Sequence, residues 1–240
     1  MIDKLTTNYS PNFTPIRRNP NIVKFIILHY TGMSSEILAI KRLTDVKSKV
    51  SCHFFIKNNG KIILMVPEKY IAWHSGISKW KKYTSLNKNS IGIEIQNPGH
   101  KHDFPKYKKQ QIKSLIKLCR HLKKKYKIKK ENILGHSDIS YKRKKDPGVK
   151  FPWVVLSKKK LSIWHDFSNK ILNSKRNVKI TSIDKILFFY NLKKIGYERP
   201  LNQKEKKLLV LSFQMKFRPQ LINGILDKEC LLISSKLSKI

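Results

Sequence analysis

The sequence predicts an α/β fold: a mixed central β-sheet flanked by helices, followed by a small all-α unit of three helices. Three observations predict it. Apolar, β-branched runs of strand length recur at residues 22–29, 50–56, 61–66 and 89–96. Stretches with apolar residues at helical spacing separate them, at 36–43 and 107–126. After about residue 165 the strand pattern stops, and three helical stretches follow.

Each element has a local reason. Residues 1–20 are polar, hold Pro11, Pro15 and Pro20, and read as an extended arm. Residues 22–29 form a buried strand ending at His29. Ser34 or Ser35 caps a helix that begins at Glu36. Val50 to Ile56 is a strand, Asn58-Asn59-Gly60 a hairpin turn, and Lys61 to Val66 its return, stopped by Pro67. Asn89 to Gln96 alternates around Glu94, and Asn97-Pro98-Gly99 ends it. In the helix over 107–126, Ile112, Leu115, Ile116, Cys119 and Leu122 mark one face and lysines fill the other. Glu131 to His136 is a short strand that carries His136 at its end. Residues 157–180 are basic and poor in glycine, a terminal helix and linker. Helices are expected over Ser182–Ile195, Gln203–Phe217 and Asp227–Leu237, with a turn at Asn223-Gly224. The expected division is an arm over 1–20, an α/β domain over 21–165, a linker over 166–180 and a helical domain over 181–240.

The bulk numbers narrow the function. A chain of 240 residues with 40% hydrophobic content can bury a core. No apolar stretch approaches the ~18 residues of a membrane span. The opening Met1 to Asn8 lacks the apolar core of a secretory signal, which leaves open cytoplasmic residence, export by another route, or a periplasmic or cell-envelope location if a signal was removed. Cys52, Cys119 and Cys230 are scattered and unpaired in pattern, so neither a disulfide framework nor a cysteine-built metal site is expected. The net charge is +37, and 44 of the 52 cations are Lys. Specific phosphate and base recognition leans on the Arg fork, so specific nucleic-acid binding is not expected. The lysines read as solvated positions shaped by coding bias, with electrostatic attraction to an anionic cell wall or membrane surface as the second reading.

Three residues suggest chemistry. His29, His136 and Asp146 could supply two imidazoles and one carboxylate, the ligand count of a catalytic zinc site that keeps a position open for water. Glu94 stands alone among Ile91, Ile93 and Ile95, either on a solvent-facing strand position or as a general base. Lys144, two residues before Asp146, is either one more Lys in a basic run or an oxyanion stabiliser. A core histidine bonded to its neighbours is the plain alternative for His29.

Six segments then resemble one family: Ile26-Ile27-Leu28-His29-Tyr30-Thr31; Val50 to Ile56 followed by Asn59-Gly60; Ala72-Trp73-His74-Ser75-Gly76; Asn89 to Ile95; Gly135-His136-Ser137-Asp138-Ile139; and Arg143-Lys144-Lys145-Asp146-Pro147-Gly148. In this order and spacing they resemble the zinc-dependent N-acetylmuramoyl-L-alanine amidases of the type 2 amidase family, related to the peptidoglycan-recognition proteins. The resemblance covers roughly residues 20–155. It implies one Zn²⁺ held by His29, His136 and Asp146, with Glu94 as catalytic carboxylate and Lys144 as oxyanion stabiliser. His74 and Trp73 fall where relatives line the substrate cleft. His53 lies on the strand beside the site, as a packing neighbour or a further substrate-binding position. Cys52 stands where some phage relatives have a catalytic Tyr, which favours the Glu94 version of the mechanism. Phe213-Gln214 and Asn223-Gly224 to Asp227 are similar to landmarks of the three-helix peptidoglycan-binding domain. The implied activity is hydrolysis of the amide between N-acetylmuramic acid and L-alanine, in peptidoglycan or its (anhydro)muropeptide fragments. The competing expectations are a peptidoglycan-recognition protein without activity and, on charge alone, a nucleic-acid-binding protein.

Overall fold

The computed structural model describes residues 6–101 and 104–240. In chain order it contains β1 (Thr6–Thr7), β2 (Phe13–Thr14), β3 (Phe25–Tyr30), α1 (Glu36–Thr44), β4 (Phe54–Ile56), β5 (Ile62–Leu64), β6 (Ile71–Ala72), β7 (Lys79–Trp80), β8 (Tyr83–Thr84) and β9 (Ser90–Ile95). These are followed by α2 (Lys109–Lys125), β10 (Ile133–Gly135), α3 (His136–Ile139), α4 (Trp153–Lys158), α5 (Asn169–Lys175), α6 (Ser182–Ile195), α7 (Gln203–Phe217) and α8 (Lys228–Leu237). Six strands form one sheet in the order β1-β5-β4-β9-β3-β10. Its β4, β9, β3 and β10 run parallel, and β5 is antiparallel to β4, so the sheet is mixed as expected.

Alternation along the strands decides which side chains meet which layer. On β3, Ile26 and Leu28 join Ile91, Ile93 and Ile95 of β9 on one face, under Leu115, Leu118, Cys119 and Leu122 of α2 and Leu156 of α4. Phe25 and Ile27 join Leu134 on the opposite face, against Phe188, Leu192, Phe213, Phe217 and Ile233 of the C-terminal helices. Ala39 and Leu43 of α1 cover Phe55 and Ile63 on that side as well. With both faces covered, the central strands are buried and read as nearly continuous apolar runs.

The helices end where the sequence places their caps. Ser35, Ser168, Thr181, Asn202 and Asp227 each accept a backbone N–H at a helix N-terminus. At the Asn223-Gly224 turn, Gln214 Oε1 accepts both backbone N–H groups, at 3.1 and 2.8 Å.

The structure refines several expectations. The extended arm joins the fold: β1 pairs with β5 at the sheet edge and β2 pairs with β6, while residues 1–5 lie outside the described residues. The strand expected over Val50 to Ile56 is regular only from Phe54: His53 N–H still bonds Gly92 O of β9, but Ser51 N–H turns away to Trp73 O. The stretch expected as a linker over 166–180 contains α5, whose Leu172 is buried with the C-terminal helices. Those helices share one apolar layer with the sheet, so the helical unit expected over 181–240 packs on the rest. On α2, Leu118 replaces Ile112 and Ile116 in the core, and both isoleucines are only partly buried.

Candidate active site

The four parallel strands bring their C-terminal ends to one edge of the sheet, where open α/β sheets bind ligands. His29 is the penultimate residue of β3 and stands in register with Glu94, the penultimate residue of β9. Gly135 ends β10 in register with Leu28, which puts His136, the next residue, level with His29. Parallel register keeps His29 and Glu94 on the same face, away from Ile93 and Ile95. That is why a carboxylate can sit between isoleucines without entering the apolar layer.

Asp146 arrives from the loop after α3. Ser137 N–H donates to Asp146 O at 2.8 Å, tying the loop to the turn that carries His136. His29 Nδ1, His136 Nδ1 and Asp146 Oδ2 then form a triangle with sides of 2.9, 2.9 and 3.0 Å. Among the described residues these three buried side chains form the one group of His, Cys, Asp or Glu arranged to hold a metal ion.

The surrounding partners decide which nitrogens carry protons. Ser90 Oγ donates to Leu86 O at 2.7 Å, so it accepts from His74 Nε2–H at 3.1 Å. His74 Nδ1 is therefore an acceptor, and it receives His29 Nε2–H at 3.1 Å. His136 Nε2–H donates to Ser75 O at 3.0 Å. Both outer nitrogens are committed, which turns two Nδ1 atoms inward. Burial, with the neighbouring His136, lowers the His29 pKa to about 4, so its inward nitrogen is a bare lone pair at neutral pH. Burial alone would raise the Asp146 carboxyl, but His136 and His29 outweigh it and hold it well below the usual carboxylate range. Lone pairs and an anionic oxygen facing one another at these distances repel unless a cation lies among them. The donor set therefore fits a divalent metal that accepts imidazole and carboxylate together.

Glu94 lies beside this triangle. Its Oε2 is buried and has no hydrogen-bond partner among the described residues. Burial, then the nearby Asp146 charge, raise its pKa well above the ordinary glutamate value, and Lys144 opposes the rise. A carboxylate so destabilised is poised to take a proton. Glu94, Lys144, His74 and Trp73 line a cleft of about 870 Å³ together with the triad. A separate apolar groove of about 670 Å³ lies between α2 and α4, rimmed by lysines; its lining contains no carboxylate or imidazole.

The cleft includes each expected site residue except His53. His53 is fully buried behind His74, with ring centroids 5.7 Å apart, and its Nδ1 accepts Gly92 N–H at 3.0 Å. It packs beneath the cleft and is not placed to touch a substrate. His74 has a second job besides lining the cleft, because it fixes the His29 ring. Cys52 is buried against Met65, and burial pushes its thiol well up, consistent with a packing residue. Arg143 escaped the sequence reading. Its guanidinium bonds Ser75 O and Ile77 O, each at 2.8 Å, clamping the 73–77 segment to the Asp146 loop. In a chain with 52 basic residues, one more in the run Arg143-Lys144-Lys145 has no distinguishing signal. Tyr30, Arg42 and His100 also line the cleft unannounced.

Comparison with known proteins shows the family. The profile of the N-acetylmuramoyl-L-alanine amidase family matches residues 18–149. The N-acetylmuramoyl-L-alanine amidase AmiD of Escherichia coli strain K12 is 34% identical over 229 residues, spanning 90% of this chain and 82% of that protein. A solved complex of AmiD from E. coli with the substrate anhydro-N-acetylmuramic acid-L-Ala-D-gamma-Glu-L-Lys is similar at 32% identity and a TM-score of 0.79, covering 94% of this chain and 91% of that one. AmpDH3 from Pseudomonas aeruginosa, solved in complex with anhydromuramic pentapeptide, is similar at 30% identity and a TM-score of 0.79, covering 98% of both chains.

Proposed function

The chain belongs to the N-acetylmuramoyl-L-alanine amidase family, and on that premise we propose that it hydrolyses the amide joining N-acetylmuramic acid to L-alanine in anhydro-muropeptides and related peptidoglycan fragments, with one Zn²⁺ at His29, His136 and Asp146. The observation that carries the reading is the convergence of two inward nitrogens and a carboxylate oxygen beside a half-buried glutamate whose buried Oε2 has no partner among the described residues. Bound zinc supplies Lewis-acid polarisation and a water of lowered pKa.

The remaining chemistry belongs to the side chains. Glu94 accepts the proton of the attacking water, a step that its raised pKa favours over an ordinary glutamate. Carbon–nitrogen cleavage then needs a proton on the leaving nitrogen, and Glu94 returns the one it took. The Lys144 ammonium faces the same cleft and stabilises negative charge developing on the scissile carbonyl oxygen. His74 holds the His29 ring through the Nε2–Nδ1 hydrogen bond, and Trp73 offers an aromatic wall for the ligand. The muropeptide reading draws support from the substrate complexes of the two structural relatives. The cationic surface suits the carboxylates of stem peptides and of an anionic wall.

The test is product analysis by mass spectrometry on an anhydro-muropeptide and on purified sacculi. Wild type is expected to release free stem peptide. Glu94→Gln should keep its metal and lose about 10²–10⁴-fold in rate. Activity near wild type in that variant removes Glu94 from the mechanism.

A further inference from the structure

The four-residue turn α3 starts with His136, one of the proposed metal ligands, and is too short to hold itself in place. Asp138 closes it from within, its Oδ2 accepting Gly135 N–H at 2.8 Å. The same carboxylate is gripped from outside. Lys216 Nζ of α7 donates to Oδ2 at 2.6 Å, and Tyr197 OH, between α6 and α7, donates to Oδ1 at 2.7 Å. Ser212 Oγ, one turn before Lys216, donates to the neighbouring Ser137 O at 2.8 Å. All three outside donors come from the C-terminal helical region.

Lys216 is an unusual donor. Its side chain is 3% exposed, and its ammonium lies 4.2 Å from the centroid of the Trp153 ring. Buried charges persist where they are paired, and this one has a carboxylate on one side and an aromatic face on another. An apolar residue would pack there without the desolvation penalty, so the lysine calls for a reason beyond filling space. The turn it grips supplies one. Ser137 N–H also donates to Asp146 O, so α3 connects two of the three proposed ligands, His136 and Asp146.

We propose that Lys216, assisted by Tyr197, is a positioning residue: through Asp138 the C-terminal helices hold the α3 turn in the one orientation that presents His136 and Asp146 to the metal. The inference rests on the ligand set proposed above. It gives the helical region a part in hydrolysis that needs no contact between those helices and substrate. Outer partners of metal ligands typically change metal affinity by about 10–100-fold when removed.

The experiment measures zinc affinity by chelator competition on the full chain, alongside kcat, KM and the melting temperature. Lys216→Met is expected to weaken zinc binding by about 10–100-fold with KM unchanged, and added zinc should restore much of kcat. Tyr197→Phe removes one hydrogen bond without stranding a charge, and it should weaken binding in the same direction by less. It carries the test if Lys216→Met fails to fold. Asn191→Ala is the control. That side chain bonds Ser234 and Ser235 between α6 and α8, so its loss should lower the melting temperature and leave zinc affinity alone. Wild-type zinc affinity in folded Lys216→Met or Tyr197→Phe overturns the proposal, and so does equal weakening in Asn191→Ala. If wild type releases no stem peptide yet the zinc ranking holds, the amidase reading fails and the positioning role stands.

Discussion

At the scale of single residues, the site depends on how the proton inventory is distributed. His29 and His136 both spend their outer nitrogens on neighbours, and Asp146 is held ionised, so the inward atoms have no proton to share. Glu94 is the opposite case, a carboxyl for which burial favours the neutral form. The direction predicts pH behaviour. The acid limb of kcat/KM should lie above the ordinary glutamate range, because activity needs Glu94 ionised and its pKa is raised. Lys144 lowers that pKa, so Lys144→Met should move the limb to still higher pH. The same change should cost about 10²–10³-fold in kcat through the lost oxyanion contact. A pH–rate profile of the variant with the acid limb unmoved would separate Lys144 from Glu94.

At the scale of elements, the site is built from strand ends and needs close packing behind it. Gly92 illustrates why. A Cβ at Gly92 would lie 2.4 Å from the His74 ring, far inside contact distance. The strand must be bare there so that His74 can lie against it and reach His29. Gly92→Ala should destabilise the protein by about 1–3 kcal/mol by overpacking, and it should also weaken metal binding through displaced His74. Thermal melts with a metal titration check both, and a variant that melts and binds like wild type would show that His74 has room to shift. The parallel register of β3 and β9 is the other requirement. A slip of one residue would turn Glu94 into the α2 layer and an isoleucine into the cleft.

At the scale of the whole molecule, the C-terminal helices and α2 cover opposite faces of one sheet, and the active edge lies at the strand ends between them. The helices bury Phe25, Ile27, Trp80 and Leu134. A chain ending at residue 180 would leave that face open to water, a larger apolar patch than monomeric proteins usually expose. Such a truncation should bind a hydrophobic dye, melt earlier and aggregate. A monomeric, cooperatively melting fragment would show that the α/β part is self-sufficient. The charge of +37 acts at this scale too, favouring anionic surroundings over any single contact.

The sequence alone determined the fold class, the ends of α6 and α7, the existence of the parallel core strands, and the candidate residues that line the cleft. These follow from local physics: periodicity, caps, turn residues, and short strings whose residue types suit one chemistry. Only the tertiary structure decided that His74 orients His29, that His53 packs beneath the cleft, that Arg143 clamps the 73–77 segment, and that Lys216 reaches the turn bearing His136. It also decided that the arm joins the sheet and that the linker is a packed helix. Each of these is a contact between segments far apart in the chain, and no local pattern records which lysine, among 44, ends up buried against a carboxylate.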